Sequence, residues 1–198
     1  MDVALIKYNA GNIQSVIFAL NRLGIEPIYT DDADIIKNAD KVIFPGVGEA
    51  YACMQSLKDK QLDKIIPHLK QPVLGICVGL QLMCNHSEER DTQGMGIFDI
   101  DVKKFAPDNT QIKIPQMGWN TVYDLKSTLF KDIPLHSYVY YVHSYYAALS
   151  AKYTIATTKY VLPYSAALCK DNFYAVQFHA EKSSDTGSKI LDNFIKYC

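Results

Sequence analysis

The sequence predicts one α/β domain: a central, mostly parallel sheet with helices on both faces and an antiparallel β extension in the C-terminal half. Three observations predict it. The first half alternates short apolar runs with amphipathic stretches near helical spacing, the pattern of successive βαβ units. The second half changes to short segments rich in tyrosine, valine and isoleucine, punctuated by turn residues. The length, 198 residues, fits a single domain over 1–198 whose core is large enough to fold without staples.

Residues 2–8 read as a strand. A helix is predicted over 11–23, where Ile13, Ile17, Leu20 and Leu23 lie near helical spacing and Gly24 is a stop signal. A second strand follows at 26–30, a short helix at Ala33–Asn38 and a third strand at Lys41–Phe44. Residues 50–69 read as helical with a break around 58–61, residues 72–76 as the fourth strand, and residues 78–85 as the start of the next helix. Further strands are predicted at 97–105, 138–143, 153–158, 164–169 and 173–178, separated by turns such as Pro107-Asp108-Asn109 and Asp171-Asn172. They are expected to form a largely antiparallel addition to the sheet. An amphipathic helix, Ser184–Tyr197, closes the chain with Ile190, Leu191, Phe194 and Ile195 on one face. There is no repeat, low-complexity segment or linker.

The composition is 48% hydrophobic and 21% charged, with a formal net charge of −1. Such a balance offers no global attraction to nucleic acid or an anionic membrane. No apolar stretch approaches the roughly 20 residues that span a bilayer, and residues 3–6 read as a strand rather than a signal peptide. The five cysteines, Cys53, Cys77, Cys84, Cys169 and Cys198, are an odd set without a Cys-x-x-Cys pair. That pattern argues against a disulfide framework or a cysteine-rich zinc site and for a reducing cytoplasm. No metal or cofactor is expected.

The chemistry centres on Val73-Leu74-Gly75-Ile76-Cys77-Val78-Gly79-Leu80-Gln81, an apolar strand running into a Gly-x-Cys-x-Gly turn and a helix. Such an elbow exposes a nucleophile at the strand-to-helix turn. A free thiol is only about 3% thiolate at neutral pH, so Cys77 needs a base. His179 and Glu181, at the end of the apolar run 175–178, lie two residues apart and face the same way on an extended chain. Glu181 can then hold the imidazole in one tautomer while the other nitrogen faces a thiol. A buried, inert cysteine and a solvated His–Glu pair remain open alternatives on these residues alone. Pro45-Gly46-Val47-Gly48 follows the third strand, and the backbone amides of Val47 and Val78 are candidate oxyanion donors. Gln81 lies one helical turn beyond Cys77 on the same side. His143, among five tyrosines at 138–146, reads as a satisfied structural histidine.

Taken with Gln177-Phe178-His179-Ala180-Glu181-Lys182-Ser183, the cysteine elbow closely resembles the class I (triad) glutamine amidotransferases. Three more segments narrow the resemblance: Tyr8-Asn9-Ala10-Gly11-Asn12, Pro115-Gln116-Met117-Gly118-Trp119-Asn120 and Tyr141-Val142-His143-Ser144-Tyr145. Together they look like the glutaminase subunits of imidazole glycerol phosphate synthase, from the first strand to the last helix. The resemblance implies a three-layer amidotransferase fold and hydrolysis of glutamine through a cysteine thioester. Cys77 is then the nucleophile, His179 the acid and base, and Glu181 its orienter. Gly48, Gln81, Glu89, Ser144 and Tyr145 are the glutamine contacts; Asn12, Trp119 and Lys182 belong to a partner interface. The implied partner is a (β/α)₈-barrel cyclase that uses the ammonia to make imidazole glycerol phosphate and an aminoimidazole carboxamide ribotide in histidine biosynthesis. A barrel of about 250 residues does not fit within this chain, so the partner is a second polypeptide in a heterodimer. The Gly46-Val47-Gly48 segment is the implied switch, because an outward Val47 amide leaves the oxyanion hole incomplete.

Two positions depart from the family pattern. Ala180 replaces the proline of His-Pro-Glu, which removes a fixed φ and is expected to loosen the turn carrying Glu181. Val78 stands where leucine is common but keeps the backbone amide. The competing readings are a related triad glutaminase of surface-sugar or pyridoxal phosphate synthesis, and a non-catalytic α/β binding subunit.

Overall fold

The computed structural model describes residues 1–9, 11–108 and 111–198. In chain order it contains β1 (Val3–Ile6), α1 (Gln14–Arg22), β2 (Ile28–Thr30), α2 (Ala33–Asn38), β3 (Lys41–Phe44), α3 (Ala50–Asp59), α4 (Leu62–Ile65), β4 (Val73–Ile76), α5 (Val78–Met83) and β5 (Cys84–Ser87). There follow β6 (Thr92–Gln93), β7 (Phe98–Lys104), β8 (Gln116–Val122), β9 (Ser137–His143), β10 (Tyr145–Ala147), β11 (Thr154–Lys159), β12 (Pro163–Lys170), β13 (Phe173–Val176) and α6 (Ser184–Tyr197). Two sequence features fall partly outside the described residues: Ala10 of the Tyr8–Asn12 segment and Asn109 of the Pro107–Asn109 turn.

Seven strands form the main sheet in the order β11-β12-β13-β4-β3-β1-β2. The five from β13 to β2 are parallel, whereas β12 adds antiparallel to β13 and β11 antiparallel to β12. The residues of β1, β3 and β4 are buried throughout, as expected of parallel strands covered on both faces. Because strand order reverses at β1, right-handed crossovers send α1 to one face and α2 to α4 to the other. The helix α6 packs with α1 around the short turn Ala180–Lys182, and α5 packs on α3. Apolar spacing selects these contacts: α1 buries Val16, Ala19 and Leu20, and α6 buries Ile190, Leu191, Phe194 and Ile195.

The C-terminal half departs from the expected single sheet. Phe173–Val176 is parallel to β4 and sits inside the main sheet. Two further sheets stand apart from it: β10-β7-β5-β6, and the antiparallel ribbon β8-β9. Strands β5, β6, β8 and β10 lie outside the strand segments expected from the sequence. Cys84 leaves the predicted 78–85 helix with ψ 175 and starts β5 against Phe98. A short strand following a helix directly, with no polar or turn residue between, leaves no sequence signal. At the other end, Gly11 has φ +65 and cannot belong to a right-handed helix, so α1 begins at Gln14.

The approach of α5 to β3 depends on Gly79. A Cβ there would lie 2.3 Å from the Phe44 carbonyl oxygen, and neither backbone can yield without moving the cysteine turn. Gly79→Ala is therefore expected to lower unfolding free energy by about 2 kcal/mol or more in urea titration. A loss under about 0.5 kcal/mol would contradict the close packing.

Candidate active site

The carboxyl ends of β1, β3, β4 and β13 lie along one edge of the parallel sheet, the edge where open α/β sheets bind ligands. Cys77 follows β4 with φ 53 and ψ −107, a sparsely populated conformation for a non-glycine residue and a form of strain typical of functional turns. Two hydrogen bonds hold it there. Its N–H donates to the Val176 carbonyl at 2.8 Å, and its carbonyl accepts from Gln81 N–H at 3.3 Å as α5 begins.

His179 lies just beyond β13, with its N–H bonded to the Tyr140 carbonyl at 2.9 Å. Its Nδ1 is 2.8 Å from Glu181 Oε1, and both side chains are almost inaccessible. Glu181 reaches the ring from the 3-10 turn Ala180–Lys182 rather than from an extended strand, because β13 ends at Val176. The turn with Ala180 is tied by Ser183, whose hydroxyl donates to the His179 carbonyl at 2.6 Å and accepts from Tyr140 N–H at 2.9 Å. The second oxygen of Glu181 is buried without a partner among the described residues, so the imidazole is the group that compensates this carboxylate. Burial alone would push the His179 pKa down. The Cys77 sulfur beside it, the hydrogen bond to that sulfur and the Glu181 carboxylate outweigh burial and hold the pKa well above the ordinary value.

A cavity of about 220 Å³ opens onto Cys77. It is lined by Gly48, Val78, Gln81, Glu89, Ser144 and Tyr145, with Pro115, Val142 and His143 completing the wall. All five residues read from the sequence as glutamine contacts are thus gathered on one cavity. Gln81 is buried and spends both amide protons within the chain, on the Tyr145 carbonyl at 3.0 Å and on Gln177 Oε1 at 3.1 Å. It can meet a ligand only as an acceptor. Glu89 is not in a solvated loop: Oε2 accepts from Ala50 N–H at the start of α3, at 2.7 Å, and burial raises its pKa. Gly48, with φ +124, carries the chain from β3 past the sulfur.

The two proposed oxyanion donors are not both available. Val78 N–H points at the Gly46 carbonyl, 3.4 Å away. That carbonyl and the Val47 N–H share one planar peptide and point in opposite directions, so the Val47 amide faces away from Val78. The segment is anchored by the buried Tyr8 hydroxyl, which donates to the Pro45 carbonyl, and by Gly11, where a Cβ would lie 2.2 Å from Val47 Cγ2.

His143, expected to be structural, is buried with both nitrogens engaged: Nδ1 is 2.7 Å from the Tyr145 carbonyl and Nε2 is 3.2 Å from the Tyr164 hydroxyl. It also lines the cavity, a role its neighbours Ser144 and Tyr145 foreshadowed. Gln177 is a further site residue that sequence reading passed over; its Nε2 lies 3.7 Å from Cys77 Sγ. The expected interface residues lie outside the cavity. Trp119 is 52% exposed and packs edge-on against Tyr140 on the outer face of the ribbon. Asn12 and Lys182 are exposed at the start of α1 and in the adjoining turn.

The other cysteines are poor nucleophiles. Burial pushes Cys53 and Cys169 up to about 11 and raises Cys84 and Cys198 as well. Among the described residues no group of three His, Cys, Asp or Glu side chains is placed to hold a metal ion, and no helix is long and apolar enough to cross a membrane.

The sequence matches the family Glutamine amidotransferase class-I over residues 5–198. It is 57% identical to imidazole glycerol phosphate synthase subunit HisH of Bacteroides fragilis, over 99% of this chain and 100% of that one. The HisH subunit of Bacteroides thetaiotaomicron is 54% identical over 98% and 99% of the two chains, and that of Haemophilus influenzae 42% identical over 99% and 98%. In fold it resembles the crystal structure of a glutamine amidotransferase, with a TM-score of 0.74 at 15% identity over 98% of this chain and 99% of that one. The chain belongs to the class I glutamine amidotransferases and, among them, to the HisH family of imidazole glycerol phosphate synthase subunits.

Burial, opposed by the bond to Tyr145 and reinforced by the nearby His179, lowers the His143 pKa to about 4. The unfolded chain binds this proton near pH 6.5 and the folded chain only near 4, so the stability contributed above 6.5 is lost as pH falls through that window. Unfolding free energy from urea titration is expected to drop by about 3 kcal/mol from this group between pH 6.5 and 4. His143→Asn, less stable at every pH, should show an acid slope shallower by that amount; an unchanged slope would show that His143 does not carry it.

Proposed function

We propose that this chain hydrolyses glutamine to glutamate and ammonia through a thioester on Cys77. It delivers the ammonia to a separate (β/α)₈-barrel cyclase, which makes imidazole glycerol phosphate and aminoimidazole carboxamide ribotide in histidine biosynthesis. The observation that carries this reading is the cavity: Cys77 and the five expected glutamine contacts share it, and the His179–Glu181 pair stands at the sulfur. About 220 Å³ lies below the roughly 300 Å³ where drug-sized pockets begin and suits a single amino acid.

The geometry supports the following sequence of bonds. His179 takes the Cys77 proton, and the sulfur attacks the side-chain amide carbon of glutamine. The resulting tetrahedral oxyanion needs N–H donors. As the tetrahedral species collapses, the carbon–nitrogen bond breaks and the imidazolium proton goes to the departing ammonia. Water, deprotonated by His179, then cleaves the thioester and releases glutamate. An imidazolium held by Glu181 and the sulfur is ready to act as the acid. Gln81 Oε1 and the free oxygen of Glu89 offer acceptors for the substrate's ammonium group.

With the Gly46 carbonyl turned to Val78, the oxyanion would meet an oxygen rather than a second donor. Rotating the Gly46–Val47 peptide replaces that oxygen with the Val47 N–H and frees Val78. This supports a resting subunit that is nearly silent until a partner docks on the face that carries Trp119, Asn12 and Lys182. A cytoplasmic setting accords with reliance on a free thiol.

Glutaminase activity is expected to rise by orders of magnitude when the cyclase and its substrate are added. Cys77→Ala should reduce glutamine-dependent turnover by roughly 10⁴-fold or more while added ammonia still supports the cyclase. If that variant keeps glutamine-dependent synthesis, the nucleophile is elsewhere. Glu181→Gln, which preserves shape but removes the charge, should lower kcat by roughly 10²–10⁴-fold with a small change in KM. A surface-sugar cyclase substrate that activates where the histidine-pathway one does not would reassign the partner.

A further inference from the structure

Parallel register brings a second polar side chain to the sulfur. Val176 pairs with Ile76, so the next residue on each strand, Gln177 and Cys77, leaves the sheet side by side. Gln177 is completely buried, and its Nε2 lies 3.7 Å from Cys77 Sγ. A side-chain amide has a donor end and an acceptor end, and the end that faces a sulfur anion decides between attraction and repulsion. Here the choice is made from behind. Gln81 Nε2 sits between two acceptors, the Tyr145 carbonyl at 3.0 Å and Gln177 Oε1 at 3.1 Å. The backbone carbonyl cannot donate, so the NH₂ end of Gln81 must lie here, and Gln177 must answer it with oxygen. The NH₂ of Gln177 is thereby left facing the sulfur. His179, two residues further along the chain, approaches the sulfur as well.

We infer that Gln177 is a further residue of the reacting centre: its amide N–H donates to the Cys77 sulfur and favours the thiolate over the thiol, while Gln81 acts through it as a positioning residue that keeps the amide the right way round. This rests on the reading of Cys77 as the nucleophile. When the proton passes from Sγ to His179, the sulfur becomes a charged acceptor, and a hydrogen bond to a charged group is about twice as strong as one to a neutral group. A stabilised thiolate is a weaker nucleophile, but nucleophilicity falls less than half as steeply as the thiolate population rises. The contact therefore raises the rate wherever the thiolate is the minority form. Once the thioester forms, the sulfur is neutral and the bond weakens, so the interaction favours the free enzyme at the start of each turnover.

The test is the pH dependence of Cys77 alkylation by iodoacetamide on the full chain, read at the Cys77 peptide by mass spectrometry, for the parent, Gln177→Met and Gln177→Glu. Methionine matches the volume without a donor, and glutamate keeps the bond from Gln81 but turns an acceptor to the sulfur. The alkylation midpoint is expected to move up by about one pH unit in Gln177→Met and further in Gln177→Glu. Glutamine turnover with the cyclase present should fall about three- to fourfold at neutral pH in the former, mainly in kcat, because the remaining thiolate is the stronger nucleophile. A purely structural role would shift the unfolding midpoint but leave the alkylation midpoint in place, and that result in folded variants overturns the inference. Failure of both variants to fold overturns it too, since it assigns Gln177 to the core alone. If a glutamine-analogue electrophile leaves Cys77 of the parent complex unlabelled, the glutaminase reading fails, while the iodoacetamide comparison still reports whether Gln177 acts on the sulfur.

Discussion

The parallel pairing of Val73–Ile76 with Phe173–Val176 holds the site together. These strands lie about half the chain apart, and nothing local tells either where to stop. Their register, Val176 opposite Ile76, brings Cys77 and Gln177 out of the sheet together and sets His179 one step further on. The Cys77 N–H then closes on the Val176 carbonyl, so the strained turn is held by the same ladder that aligns the imidazole. Shifting this ladder by one residue would part Gln177 from Cys77 and move the His179 imidazole away from the thiol. The close contact of Gly79 on Phe44 serves the same end from the other neighbour of β4.

Around that ladder, polar groups are buried mainly where they hold one another. Tyr145 contributes a backbone carbonyl that receives Gln81 and lies against His143; His143 lies against Tyr164, and Tyr164 against Gln116. The chain links the wall of the cavity to the inner face of the β8-β9 ribbon, whose outer face carries Trp119. A buried network of this kind fixes geometry more than it adds stability, because each member is costly to leave unpaired. Among the described residues, Gln116 Nε2 and Glu181 Oε2 are buried side-chain atoms near the site that lack a partner.

Much of this was legible in the residues. The βαβ half shows through because hydrophobic periodicity and glycine stops are local signals; Ala33–Asn38, Lys41–Phe44 and Ser184–Tyr197 coincide with observed elements. The residues gathered on the cavity were legible through the motif resemblance, which set Ser144 and Tyr145 beside Cys77 where spacing alone could not. The split of the C-terminal strands into three sheets was not legible. Partner choice among short β segments depends on pairing across the fold, and Phe173–Val176 looks the same whether it lies at an edge or inside. Gln177 stands within a motif but carries no local signal of a role, because its meaning comes from the strand beside it. The inward Gly46 carbonyl was equally invisible, since a peptide plane can turn over without any change of sequence.

The outer face of the β8-β9 ribbon bears on how such a subunit is produced. Met117, Trp119 and Tyr138 stand together there, and each is more than half exposed. A contiguous apolar surface of this kind is tolerable while a complementary surface covers it, and it invites self-association when bare. Surplus copies would be prone to clump, be drawn into chaperones or be degraded. Balanced synthesis of the two polypeptides is thus a matter of solubility as well as of economy in glutamine.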